Sequence, residues 1–202
     1  IPLAVGDAWS AKLKGEDRVT VIYFGDGCFE EGVIHECMNF AALHKLPIIF
    51  VCENNNYSVY TQLKDRQPDR KIINIAKAHG LKTHTANGND VLEVSSIAHN
   101  AVSNVKLGDG PQFFELDTYR WLEHCGPFDD DHLDYRPSGE LAIWKDSCPV
   151  GKLKKHIKSK GSHEKIFKTI EMEIDKEIKL AFEFAKNSPI PKIEDLNKYT
   201  YA

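Results

Sequence analysis

Apolar runs of strand length alternate with segments of helical period through the first half of the chain, and each change of period falls at glycine, asparagine or proline. Residues 2–14, PLAVGDAWSAKLK, place Leu3, Ala4, Ala8, Ala11 and Leu13 at mostly helical spacing ahead of Gly15, which predicts a helix with a glycine stop. Residues 19–24 form a β-rich run halted by Gly25-Asp26-Gly27, and residues 48–52 form a second halted by Glu53-Asn54-Asn55-Asn56. The stretch between them reads as a helix opening near Glu31-Gly32. Together these predict one right-handed βαβ unit. Residues 57–71 are polar and read as a loop, and residues 72–79 as a short helix ending at Gly80. Residues 81–85 read as a strand, followed by a helix from the N-cap Asp90 to about residue 105, and residues 111–117 as another strand. The order predicts a layered α/β fold, a mainly parallel sheet with helices on both faces.

The period then changes. Residues 118–139, TYRWLEHCGPFDDDHLDYRPSG, are aromatic and charged without regular spacing, and a long loop beyond a sheet edge is a place for function. Its run Asp129-Asp130-Asp131 reads as a solvated face. Farther on, Ile166, Phe167, Ile170, Ile174, Ile178, Ala181, Phe182 and Ala185 recur at i, i+3 or i+4, with Lys and Glu on the other faces. With the preceding PVGKLKKHIKSKG segment this predicts a C-terminal helical hairpin, closed by Pro189 and Pro191.

Composition narrows the class without changing the picture. A chain of 202 residues with 42% apolar content can bury a full core, and residues 1–202 are expected to form a single domain. A net charge of −4 with no basic face argues against nucleic acid as a partner, and no apolar run approaches the ~20 residues of a membrane-crossing helix. Cys28, Cys37, Cys52, Cys125 and Cys148 are odd in number and contain no CxxC pair, so a reducing compartment is expected rather than a disulfide framework.

The candidate chemistry sits at the ends of the first two strands. In a parallel βαβ unit those ends lie side by side, so Asp26 and Asn55 meet at the sheet edge where ligands bind. Asp26 offers a hard anionic oxygen, the Asn55 amide a neutral one, and a backbone carbonyl just beyond offers a third. Such a set leaves octahedral positions of Mg²⁺ open to water and phosphate oxygens. Gly25 and Gly27 let backbone N–H groups approach an anion, with a helix N-terminus aimed at the same place. The constellation suits a metal-bridged diphosphate. Gly-Asp-Gly alone is also an ordinary turn.

With the paired asparagines at the next strand end, the pattern resembles the thiamine diphosphate motif. The residues EGVIHECMNFAALHKLPIIFVCENNNY between and around those ends are similar to the alpha subunit of the decarboxylating component of 2-oxo acid dehydrogenase complexes, the pyruvate, branched-chain and acetoin dehydrogenase family. The resemblance implies a thiamine diphosphate-binding fold. It implies Asp26 and Asn55 as metal ligands, Tyr57 as the residue whose main-chain oxygen completes them, and Gly25, Gly27 and Cys28 as backbone contacts to the diphosphate. Tyr119-Arg120 and Tyr135-Arg136 resemble the family's phosphate-covering loop, in which His124 would hydrogen-bond the diphosphate and is the catalytic candidate. The family's GHS reads Glu123-His124-Cys125 here, and Asp134 stands at a second familiar serine position, so both phosphorylatable hydroxyls are replaced.

The activity implied is oxidative decarboxylation of a 2-oxo acid with acyl transfer to a lipoyl group. The partners implied are a beta-type subunit that completes the active site, in an alpha–beta heterotetramer, and a lipoyl-bearing acyltransferase. Other readings are a non-oxidative thiamine-dependent decarboxylase or ketol transferase subunit, and a cofactor-binding assembly subunit inactive alone. The chain opens at Ile1 rather than Met, and the resemblance implies that an N-terminal part of roughly a hundred residues precedes it. The cytoplasm is the expected compartment, with the mitochondrial matrix as the alternative.

Overall fold

Ile48–Asn54 is apolar on both faces over most of its length, and such a strand needs cover on both sides. In the computed structural model, which describes residues 1–161, 163–198 and 200, Ile48, Phe50 and Cys52 enter one buried cluster and Ile49 and Val51 enter another. The elements run α1 (Pro2–Lys14), β1 (Thr20–Gly25), a 3₁₀ turn (Asp26–Glu30), α2 (Gly32–Leu43) and β2 (Ile48–Asn54). A two-strand hairpin follows, β3 (Tyr57–Ser58) and β4 (Thr61–Gln62), with the one-turn helix α3 (Leu63–Arg66). Next come α4 (Ile72–Ala78), β5 (Lys82–Asn87), α5 (Val91–Lys106) and β6 (Gln112–Asp117). After a long loop lie α6 (Glu140–Asp146), α7 (Pro149–Lys160) and α8 (Glu164–Asn187).

The main sheet has the order β1-β2-β6-β5, all parallel. Gly25 pairs with Glu53, and both Asn54 and Asn87 pair with Asp117, so the four strands end level at one edge. Residues of α1, α2 and α4 build the cluster on one face, around Phe29, Phe50 and Phe113, while Ala101 and Val105 of α5 cover the other. The expected α/β fold with helices on both faces is the fold observed.

Two segments differ from the sequence expectation. The loop expected over residues 57–71 contains the β3–β4 hairpin and α3, because its turn carries Val59 and Tyr60 where a glycine or asparagine would have signalled it. Val59 takes a positive φ of 54°, an uncommon conformation for a β-branched residue, and its carbonyl accepts a 2.9 Å hydrogen bond from Arg120. Helix α6, for which the sequence offered no strong period, is fixed by the buried Leu141 and by Glu140. The Tyr57 and Tyr119 hydroxyls both donate to Oε2 of Glu140, at 2.7 and 2.9 Å, and Tyr119 stacks on Trp144 with ring centroids 5.4 Å apart.

The chain divides into two units, Ile1–Lys154 and Lys155–Ala202. The first contains the main sheet, the β3–β4 hairpin and helices α1 to α6. In the second, the apolar stripe expected on α8 is present, and Ile166, Ile170, Ile174 and Ile178 along it are exposed. Lys158 pairs with Glu164, and its ammonium lies 5.9 Å from the centre of the Phe167 ring.

Asp90 behaves as the sequence expects, accepting from the backbone N–H groups of Leu92 and Glu93 at 3.1 Å each. Asp90→Ala is therefore expected to cost about 1 kcal/mol, or roughly 2–4 °C in Tm, measured by thermal and urea denaturation. Burial, with the hydrogen bond to Glu140 adding to it, pushes the phenols of Tyr57 and Tyr119 well above the ordinary tyrosine range. A folded-state pKa above the unfolded one gives stability that is fully present below about pH 10 and lost as pH rises beyond it. Urea denaturation between about pH 8 and about pH 11 should show this loss, and the Tyr57→Phe, Tyr119→Phe double variant should flatten it.

Candidate functional site

The site begins where β1 ends. Asp26 opens the 3₁₀ turn, and the turn is pinned by Phe29, which is fully buried with its ring 5.7 Å from that of Phe113. Asp26 is itself fully buried. The Asn55 backbone N–H donates to its Oδ1 at 3.3 Å, so the ends of β1 and β2 do meet as the βαβ argument requires.

The three consecutive asparagines have separate roles. Asn54 is buried, donates its amide N–H to Glu115 at 3.0 Å and accepts from the Asn56 backbone N–H at 3.1 Å. It is committed to the fold. Glu115 also receives the Ile73 N–H at 2.9 Å, which places a carboxylate at the start of α4. Among the described residues Asn55 Oδ1 accepts only from the Tyr57 N–H at 3.0 Å, and an amide oxygen has a second lone pair to give. Asn56, at a left-handed φ of 65°, lets the chain reverse into the hairpin. With its side chain drawn to Glu140, Tyr57 leaves only its main chain at the strand end.

The glycines differ. A Cβ on Gly27 would lie 2.6 Å from Oγ of Ser58, so the hairpin can close over the turn only at glycine. A Cβ on Gly25 would meet nothing within 4 Å, which leaves the end of β1 open to an incoming group. Cys28 is exposed within the same turn.

Sequence reasoning missed Arg66, the residue that faces Asp26. It ends α3, is only 10% exposed in its side chain, and forms ion pairs with both Asp26 and Glu30. Its Nε donates to the Thr61 carbonyl at 3.2 Å. A lone arginine in a polar segment gives no signal, because the pairing depends on the unrecognised hairpin. Glu30 anchors this arginine and accepts from Gln67 at 2.8 Å.

The phosphate-covering loop expected over residues 118–139 is organised around Asp130, at 1% exposure, so the acidic run is not uniformly solvated. Two arginines and a tyrosine compensate it. Tyr135 donates to Asp130 at 2.6 Å, Arg120 donates to Tyr135 at 2.8 Å, and Arg136 lies 3.2 Å from the same carboxylate. The Arg136 guanidinium also sits over the rings of Tyr119 and Tyr135, 5.2 and 4.9 Å from their centres. Burial first, and then the hydrogen bond to Asp130, push the Tyr135 phenol upward. His124 is exposed and has no hydrogen bond or ion pair among the described residues. Cys125 is exposed beside it.

Taken as donors, Asp26 and the spare lone pair of Asn55 are hard oxygens, too few to enclose a metal. Among the described residues no three His, Cys, Asp or Glu side chains converge. The set suits a small divalent cation that keeps water and the oxygens of an anionic ligand in its remaining positions. That Asp26 already holds a guanidinium shows a buried carboxylate able to bind a cation.

The chain is 38% identical over 209 residues to pyruvate dehydrogenase E1 component subunit alpha-3, chloroplastic, of Arabidopsis thaliana, covering all of this chain and 48% of that one. It is 34% identical over 203 residues to 2-oxoisovalerate dehydrogenase subunit alpha of Bacillus subtilis, covering all of this chain and 61% of that one. With 2-oxoisovalerate dehydrogenase subunit alpha, mitochondrial, of Caenorhabditis elegans the identity is 39% over 183 residues, covering 89% of this chain and 41% of that one. The chain thus spans about half the length of the relatives it matches. The family model described as dehydrogenase E1 component matches residues 1–194, so the chain belongs to the dehydrogenase E1 component family.

Proposed function

We propose that this chain is the alpha-type part of a 2-oxo acid dehydrogenase, holding the magnesium-bound diphosphate of thiamine diphosphate for oxidative decarboxylation and acyl transfer to a lipoyl group. The observation that carries the proposal is the meeting of Asp26 and Asn55 at the sheet edge while Asn54 is diverted to Glu115. Asp26, Asn55 and the main-chain oxygen of Tyr57 would hold Mg²⁺. Backbone groups of Gly25, Gly27 and Cys28 would face the diphosphate, and the open space beside Gly25 supports that approach. His124, exposed on its loop and without a hydrogen-bond or ion-pair partner among the described residues, would donate to a diphosphate oxygen as the loop covers it. Bound in this way, thiamine diphosphate supplies the carbanion-stabilising chemistry that lets a 2-oxo acid lose its carboxylate. The chain's own part is to orient and neutralise the diphosphate end.

The partners proposed are a beta-type subunit across the active site, in a heterotetramer, and a lipoyl-bearing acyltransferase. Among the described residues no helix is long and apolar enough to cross a membrane. The compartment proposed is the cytoplasm, with an organelle as the alternative raised by the chloroplastic and mitochondrial names of two relatives.

Calorimetric titration of thiamine diphosphate with Mg²⁺, into the chain joined by its beta-type partner, tests the site. Asp26→Ala is expected to weaken binding by about 100-fold or more, since even residues that only support a metal ligand cost up to that much. Unchanged affinity would remove Asp26 from the metal site. His124→Ala should weaken the cofactor by roughly tenfold, the worth of one charge-assisted hydrogen bond, and leave Tm unchanged. Carbon dioxide release with acyl transfer to a lipoyl acceptor supports the oxidative reading, whereas free aldehyde as the main product would favour a non-oxidative decarboxylase.

A further inference from the structure

Asp26 is partnered on both oxygens, and the two partnerships differ in kind. Oδ1 receives a backbone N–H from Asn55, a fixed part of the β2 end. Oδ2 receives the Arg66 guanidinium, a side chain at the end of a four-residue helix. The first comes from the residue that directly follows the core strand β2. The second hangs on a short element carried by a two-residue hairpin.

We propose that Arg66 is a resident cation competing with the divalent metal for Asp26, so that metal entry requires the guanidinium to leave Oδ2. This rests on the metal-diphosphate reading above and adds to it a residue that sets metal affinity. Asp26 is 1% and Arg66 10% exposed in their side chains, so both charges lie where water screens poorly. Two cations in contact with one carboxylate in such a place repel each other strongly, and occupancy by one opposes the other. Glu30 strengthens the resident's hold. The planar guanidinium spans both carboxylates at once, Nη2 to Asp26 and Nη1 to Glu30, which an ammonium on a single point cannot do. When Arg66 leaves, the Asn55 N–H still aims Oδ1, and Asp26 needs no rearrangement to receive the metal.

The test uses Mn²⁺ as a probe for the divalent site, its binding read from loss of the free-ion electron paramagnetic resonance signal, on the full chain with its beta-type partner and thiamine diphosphate. Arg66→Gln removes the competing charge and should bind Mn²⁺ about tenfold more tightly than the parent, within the usual range of coupling between two ligands. Arg66→Lys keeps the charge, loses the fork, and should fall between the two. Glu30→Gln leaves the Asp26 pairing in place, loosens the tether, and should tighten Mn²⁺ binding by a few-fold. Mn²⁺ should also raise the Tm of Arg66→Gln more than that of the parent, because it restores a cation to a buried carboxylate.

Equal or weaker binding in Arg66→Gln overturns the proposal and makes Arg66 a support of the fold or of the anion. Should Arg66→Gln fail to fold, Glu30→Gln decides, and no tightening there overturns the proposal equally. If the parent takes up no Mn²⁺ with thiamine diphosphate, or Asp26→Ala takes up as much, the cofactor reading itself fails. If the parent binds through Asp26 while Arg66→Gln binds no more tightly, the cofactor reading stands and only the competition fails.

Discussion

A carboxylate with no exposed surface at the end of a parallel strand is the constraint around which this chain is arranged. Burying such a group is tolerable only where hydrogen bonds and an opposite charge meet it. Much of the irregular structure after β2 can be understood as supplying that charge. The asparagine turn reverses the chain, the hairpin brings α3 back over the turn, and the last residue of α3 is the arginine that Asp26 needs. Glu30 shares the arginine, and Gly27 lets Ser58 of the hairpin close over the turn.

The neighbouring loop solves a similar problem independently. Asp130 is as inaccessible as Asp26, and its compensation comes from Arg120 and Arg136, with Tyr135 bridging. Arg120 then reaches the strained Val59 carbonyl, and Glu140 gathers the hydroxyls of Tyr57 and Tyr119. Two buried charge clusters therefore stand at the same end of the sheet, one facing the metal candidates and one stiffening the loop that carries His124. His124 itself belongs to neither, which suits a residue whose partner arrives with a ligand.

Much of the scaffold was legible in the sequence because it rests on local rules. Periodicity located α1, β1, α2, β2, α5 and β6, and Asp90 announced its cap. The level ends of parallel strands brought Asp26 to Asn55. What stayed hidden was built from tertiary pairing. Val59 conceals a turn normally marked by glycine, Arg66 is one cation among several in a polar stretch, and Asp130 cannot be told from Asp129 or Asp131 without knowing which arginines face it. The expected solvated acidic run was wrong at its middle residue for that reason. Nor does the run of three asparagines reveal that Asn54 is the one spent on Glu115.

The contacts that finish this edge are far apart along the chain: 40 positions from Asp26 to Arg66, 61 from Val59 to Arg120 and 83 from Tyr57 to Glu140. Contacts of such separation are reached late, because each must first overcome the entropy of closing a long loop. On a ribosome, β1, α2 and β2 emerge well before the arginine that neutralises Asp26, and the glutamate that secures Tyr57 comes later still. The nascent chain thus passes through a stage with its apolar sheet begun and its ligand edge unfinished.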